Sequence, residues 1–148
     1  MKKSPHSVTL SRITTVVLLV IVILCFILLP IILRHYFTYR RMPFRLYAPL
    51  LTLCYLCALC VSVALLRLLK LLSRIDKGLL FDRENTALLR DLSVCCITIS
   101  LLTAIGTVWY FPCIIVAIAA AFMFLILRVL QTVFIAAAEI KDENDMTI

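Results

Sequence analysis

The sequence is poor in charge and in glycine. Only 16% of its 148 residues are Asp, Glu, Lys or Arg, and only two are glycine, whereas 64% are hydrophobic. Soluble domains average about 25% charged and about 45–50% apolar residues. A chain this short has too little polar surface to face water on all sides. The composition therefore argues against an ordinary soluble domain and indicates an integral membrane protein.

The long apolar runs contain no His, Asp or Glu. Their hydroxyl groups therefore have no acid or base beside them, so we expect no catalytic residue and no enzyme. Ion-coupled carriers place ionisable groups within the membrane. Here only Arg128 comes close, and it lies near a helix end, where its side chain can reach the interface. A small transporter built as a homo-oligomer remains an alternative.

Seven cysteines lie within or beside the apolar runs, three of them in a C-x-x-C-x-x-C spacing at Cys54, Cys57 and Cys60. Such spacing is found in metal and cluster sites, but thiolates in hydrocarbon need compensating charge, and these runs supply none. An uncharged cysteine behaves as a small apolar residue. We therefore predict no metal and no cofactor.

Three uncharged runs predict four transmembrane helices. The first two, residues 13–33 and 46–66, each match the roughly 20 residues that a helix needs to cross a bilayer. The third, residues 92–127, is long enough for two spans, with a break at the aromatic and proline residues 109–112 (WYFP). The prediction is an all-α, four-helix membrane bundle. It forms a single domain over residues 1–148, with spans at about 13–33, 46–66, 92–109 and 112–128.

Residues 34–45 (RHYFTYRRMPFR) mix arginines with aromatic side chains. This composition is typical of an anchor in the headgroup layer, and the capture of an anionic ligand is the alternative. Pro30, near the end of the first span, is predicted to kink or fray its last turn.

The most polar segment is the window of residues 67–91 between the second and third spans. It begins with a basic stripe, Arg67, Lys70, Arg74 and Lys77, whose 3-4-3 spacing places the four cations on one helix face. Gly78 is predicted to cap the second helix and Asp82 the third. Because the second, third and fourth helices all overrun the bilayer here, we expect their ends to pack into a short helical stub.

The tail, residues 139–148 (EIKDENDMTI), is acidic and follows directly from the fourth helix. One hypothesis is that it folds back onto the basic stripe through exposed, salt-sensitive ion pairs. The rival use of the stripe is to bind anionic membrane lipid.

The Lys and Arg residues also predict an orientation. With four spans, both ends and the window share one side and carry eleven cations, whereas the other side has four. The positive-inside rule then places both termini and the window in the cytoplasm.

Two patches resemble a known family. These are residues 77–85 (KGLLFDREN) and the terminal residues 143–148 (ENDMTI). They are similar to a bacterial family of small four-span membrane proteins catalogued as a domain of unknown function, whose members show a K-G-x-x-F-x-x-E-N loop and end in E-N-D-[LM]-T-I. The resemblance implies these signature positions: Gly78, Phe81, Glu84, Asn85, Glu143, Asn144, Asp145 and Thr147. It implies no activity, but members are often encoded beside a helix-turn-helix regulator.

We therefore predict a non-enzymatic protein of the bacterial cell membrane that binds or sequesters a cytoplasmic partner, such as a helix-turn-helix regulator. Membrane lipid and a second copy are further expected partners, and direct binding of nucleic acid is not expected. The alternative is an immunity or stress-resistance protein, or a transporter subunit. The candidate residues for binding a partner or lipid are Arg67, Lys70, Arg74, Lys77, Glu143, Asn144 and Asp145.

Overall fold

The computed structural model describes residues 5–79 and 82–146. These residues form four long helices, each apolar enough to cross a membrane, and a short 3-10 turn at Phe44–Leu46. The helices are α1 (Pro5–Arg40), α2 (Tyr47–Asp76), α3 (Arg83–Gly106) and α4 (Cys113–Met146). The predicted all-α bundle of four apolar helices is therefore confirmed.

The first helix is longer than its apolar run, because it continues through Pro30 as far as Arg40. The predicted fraying at Pro30 is therefore wrong. A proline removes only one backbone N–H, and all other backbone groups in an apolar environment still need internal partners, which favours continued helix. The hydroxyl of Tyr47 donates to the Pro30 carbonyl at 3.1 Å, which ties α2 to this point of α1.

Each helix packs mainly on its neighbours in the chain: α1 on α2, α2 on α3, and α3 on α4. The third helix is the most enclosed, with 33% of its most apolar stretch buried, against 6% for α1 and α4 and 11% for α2. Most apolar side chains of α1 and α4 thus lie on the outside, where lipid would cover them.

The ends of α2, α3 and α4 pack together as expected. Leu71 of α2 contacts a buried leucine group on α3, and Leu127 and Phe134 of α4 pack against the same cluster. The leucines from α3 are Leu88, Leu89 and Leu92. We call this the hinge end of the molecule, because the connection between α2 and α3 lies here.

The opposite end, which we call the arginine end, holds the α1–α2 and α3–α4 connections. Phe37, Leu50 and Leu53 form its buried cluster. The hydroxyl oxygens of Tyr36 and Tyr110 lie 2.6 Å apart and join the end of α1 to the α3–α4 turn. The end is thus closed by aromatic packing and one hydroxyl pair.

The third helix ends at Gly106, three residues before the predicted end of the third span at 109, and the α3–α4 turn begins at Thr107. Gly106 itself is buried against Leu53 of α2. Nearby, the Ser100 hydroxyl donates to the Ala117 carbonyl at 2.9 Å and joins α3 to α4. The predicted break at residues 109–112 does lie within this turn.

Candidate functional site

The charged hinge begins where α2 ends. Gly78 has φ 79°, a left-handed conformation that glycine adopts without a Cβ penalty. Its N–H donates to the Ile75 carbonyl, and the Leu79 N–H donates to the Arg74 carbonyl, each at 3.1 Å. This pair of bonds is the Schellman motif that closes a helix. The predicted cap at Gly78 is confirmed.

The next helix begins at a carboxylate. Asp82 has extended backbone, φ −88° and ψ 149°, and its Oδ1 accepts from the Arg83 N–H at 2.8 Å. Its carbonyl also accepts from the Asn85 N–H at 3.0 Å. The predicted N-cap at Asp82 is confirmed, and Glu84 adds negative charge to the first turn, where the helix dipole favours it.

Arg74 joins the two helix ends. Its Nε donates to Asn85 Oδ1 at 2.9 Å. Its two terminal nitrogens meet Asp82 Oδ2 at 2.5 Å and Glu84 Oε2 at 2.6 Å. The Arg74 side chain is only 16% exposed. The planar guanidinium, with five donors in a fixed fork, suits such a three-way contact better than an ammonium does.

Asn85 is the buried member of this group, with 0% of its surface exposed. Its Nδ2 donates to the Leu79 carbonyl while its Oδ1 accepts from Arg74. A buried amide is costly unless its donors and acceptors are paired. Asn85 therefore couples the α2 cap to the first turn of α3, and we call Arg74, Asp82, Glu84 and Asn85 the hinge clamp.

Two further ion pairs extend the contact along the helices. Lys70 Nζ lies 2.9 Å from Glu84 Oε1, and Arg67 Nη1 lies 3.5 Å from Asp91 Oδ2. Both pairs are substantially exposed, so solvent screening makes each a weak contribution to stability. Three of the four stripe cations thus face α3, whereas Lys77 lies just beyond the end of α2.

This pairing changes the interpretation of the stripe. Lys77 is exposed, but Arg74 is engaged inside the hinge, and Arg67 and Lys70 have carboxylate partners on α3. The described tail, residues 139–146, continues α4 as helix, so the predicted fold-back onto the stripe is wrong there. The reason is that the carboxylates of α3, only a short turn away, already balance these cations.

The structure brings together three signature positions, Gly78, Glu84 and Asn85, in one hinge. Glu143, Asn144 and Asp145 lie on the exposed end of α4, while Phe81 and Thr147 lie outside the described residues. Sequence reasoning identified Asp82 only as a cap and did not identify Asp91 as a partner. The sequence did contain a signal for these ion pairs, because acidic residues follow the stripe after only a short turn. Such a turn brings the acids of α3 close to the cations of α2.

A groove of about 310 Å³ lies between the start of α3 and the extension of α4. Ile135 and Ala138 line it with apolar surface, and carboxylates from both helices accompany them. The lining residues are Asp82, Arg83, Thr86, Ile135, Ala138, Glu139 and Asp142. An apolar surface with excess negative charge suits a cationic amphipathic segment.

The described part of the chain contains no cluster of side chains suited to bind a metal ion. Within residues 5–79 and 82–146, no group of three His, Cys, Asp or Glu side chains could hold a metal ion. Cys54, Cys57 and Cys60 are each partly buried along α2.

The pH dependence of the hinge is predictable from Glu84. Its hydrogen bond from Lys70 lowers the pKa of the Glu84 carboxyl, and the charges of Arg74 and Lys70 lower it further. A lowered pKa means that the folded hinge favours the carboxylate. Its contribution is therefore complete above the unfolded value of about 4.3 and is lost as the pH falls through the lower, folded value.

Thermal unfolding in detergent between pH 7 and pH 3 tests this dependence. The variant E84Q, which is isosteric but cannot ionise, should unfold at a lower temperature than the native protein at pH 7, and this difference should narrow below about pH 4.3. A constant difference across the range would contradict the assigned role of Glu84.

Comparison with known protein families gives one match. Residues 35–148 match the family described as "Protein of unknown function (DUF2975)". Neither the curated proteins nor the solved structures contain a match to this chain. The matched region includes the whole of α2, α3 and α4 together with the hinge, and it covers well over half of the sequence. This four-helix membrane protein therefore belongs to the DUF2975 family of proteins of unknown function.

Proposed function

We propose that this protein is a non-enzymatic membrane protein that holds a soluble, positively charged partner at the hinge end. The excess of Lys and Arg on the hinge side supports a cytoplasmic location for this end. The partner class that fits best is a helix-turn-helix transcription regulator, which the family resemblance also implies as a frequent genomic neighbour.

The observation that carries this proposal is the exposed extension of α4. The helix continues to Met146, well beyond Arg128, where its uncharged part ends. Ile140 on this extension is 59% exposed and shares a surface depression with Lys141 and Asp145. The acidic side chains are Glu139, Asp142, Glu143 and Asp145.

The internal pairing of the stripe leaves the acids of α4 to other interactions. Because Arg67, Lys70 and Arg74 are matched to carboxylates of α3, a cationic partner can meet the exposed acids of α4 without competing with these three cations. Proteins that bind DNA carry a basic surface that neutralises phosphates. An acidic helix beside an apolar groove would cover such a surface and keep the regulator from DNA.

Co-purification from membranes tests the proposal. We expect the intact protein to capture the regulator encoded beside it, and the triple variant D142N/E143Q/D145N to reduce capture by on the order of tenfold, because surface charge governs such encounters. Raising the salt concentration should weaken capture by the intact protein as well.

The matched control is D76N, which removes one exposed carboxylate from the end of α2. It should capture the regulator as well as the intact protein does, whereas D142N alone should capture less. Failure of the intact protein to capture any regulator would end this proposal.

An immunity or stress-resistance role is the second candidate. Arg40 and Arg41 are exposed at the opposite end, and Arg41 has a left-handed backbone, φ 52°, in the tight α1–α2 connection. Loss of tolerance to a membrane-active peptide in R40Q/R41Q, without regulator capture by the intact protein, would favour this role. A transporter subunit is the remaining alternative.

A further inference from the structure

The arginine end contains a cavity of about 420 Å³ between α1 and the start of α2. One side is apolar and the other carries cations and hydroxyl groups. The lining residues are Pro30, Ile31, Arg34, His35, Thr38 and Tyr47.

The cations at this end have no carboxylate within the sequence to balance them. Residues 1–75 contain no Asp or Glu, and neither do residues 92–138, so neither connection at this end carries an acid. At the hinge end, by contrast, Arg67, Lys70 and Arg74 all pair with carboxylates. Four exposed arginines, with a histidine beside them, are therefore available to an anion from outside the chain. They are Arg34, His35, Arg40, Arg41 and Arg45.

Two hydroxyl groups in the cavity already donate hydrogen bonds to backbone carbonyls of α1. Thr38 Oγ1 donates to the Arg34 carbonyl at 3.0 Å, and Tyr47 Oη donates to the Pro30 carbonyl at 3.1 Å. The donors left for an anion are the side chains of Arg34 and His35, both exposed. A guanidinium binds phosphate oxygens through two parallel hydrogen bonds, which makes phosphate the matching chemistry.

The apolar side of the cavity indicates the source of that phosphate. Ile31, which lines it, is 65% exposed, and Ile27 one turn earlier on α1 is equally exposed. An acyl chain lying along this face would bring its headgroup to the level of Arg34, where the apolar run of α1 ends. A free phosphate ion would leave that apolar surface unused.

We propose that this cavity is a binding site for an anionic phospholipid, with Arg34 and His35 on the phosphate and Ile31 against the acyl chain. The site is independent of partner binding at the hinge end. The arginine end would then bind one defined lipid molecule and would not merely be attracted to the charged membrane surface.

Native mass spectrometry of the purified protein tests the site. The protein is exposed to phosphatidylglycerol or to phosphatidylcholine with identical acyl chains, and bound lipid is counted. We expect a preference for phosphatidylglycerol that falls about fivefold in R34Q and less than about twofold in R45Q. R45Q removes the same charge from the same end but lies outside the cavity lining.

R34K keeps the charge but not the two parallel donors, so its preference for phosphatidylglycerol should lie between those of the native protein and R34Q. Inorganic phosphate at millimolar concentration should not displace the lipid, because it lacks the acyl contact. Equal losses in R34Q and R45Q, equal binding of the two lipids, or displacement by inorganic phosphate would each overturn the proposal.

Discussion

Replacing Arg74 with alanine is expected to lower the free energy of unfolding by about 2–3 kcal/mol. The loss comes from the contacts of the guanidinium, which donates to the fully buried Asn85 and pairs with Asp82 and Glu84. A hydrogen bond to a charged group contributes about 1.5–3 kcal/mol, and the separation of Asp82 from its cation adds to this. Denaturant-induced unfolding in detergent micelles, followed by circular dichroism, measures the change.

The control for this prediction is K77A, on the same stripe but exposed. Surface substitutions of this kind usually change stability by no more than about 0.5 kcal/mol. R74K should fall between the two, because an ammonium keeps the charge but cannot reproduce the fork that reaches Asn85, Asp82 and Glu84. If R74A and K77A were equally stable, the hinge clamp would not hold α2 to α3.

Replacing Gly106 with leucine is expected to destabilise the bundle by about 2–3 kcal/mol, near the upper part of the range for overpacking. Even a Cβ at this position would overlap the side chain of Leu53, which is itself 6% exposed and packed with Phe37 and Leu50. Either Leu53 must leave its place or α2 and α3 must separate. The same unfolding measurement reports the loss.

The matched control is A104L, which adds a similar side chain to the same helix at an exposed position. It should be close to neutral in detergent or bilayer. A double-mutant cycle with G106A and L53A gives a second check, since truncating Leu53 makes room for the new methyl group. Additive effects in that cycle would show that the two residues do not meet.

Much of the architecture follows from local composition. Four apolar stretches long enough to cross lipid require four helices, because hydrocarbon offers no other partner for the backbone. The caps at Gly78 and Asp82 are likewise local properties, since each depends on backbone conformation and on groups a few residues away. Helix number and helix caps of this kind can therefore be predicted from a single sequence.

The C-terminal boundary of α1 was predicted less accurately. The sequence predicted a span at residues 13–33 whose last turn is kinked or frayed at Pro30, but the helix continues to Arg40. A helix that leaves the bilayer can go on as long as its backbone bonds and tertiary contacts support it. Phe37, buried to 3% exposure against α2, and the bond from Tyr47 to Pro30 supply that support.

The sequence prediction and the structure differ most in the role of the basic stripe. Its spacing predicts that the four cations share a face, and three of them do meet α3, but spacing does not tell which surface that face meets. The structure turns it toward α3, so that Arg74 lies among Asp82, Glu84 and Asn85. Three of the cations are thus engaged within the molecule, whereas the acidic extension of α4 is exposed at the same end.

Four helices, the caps at Gly78 and Asp82, and the positions of the polar segments could all be predicted from the sequence. These depend on neighbours in the chain and on the hydrophobicity of each stretch. Which charges pair within the molecule and which face outward became clear from the folded arrangement alone. That outcome depends on how α2, α3 and α4 rotate and pack, and a charge keeps its surface role only if no opposite charge is brought within a few ångströms.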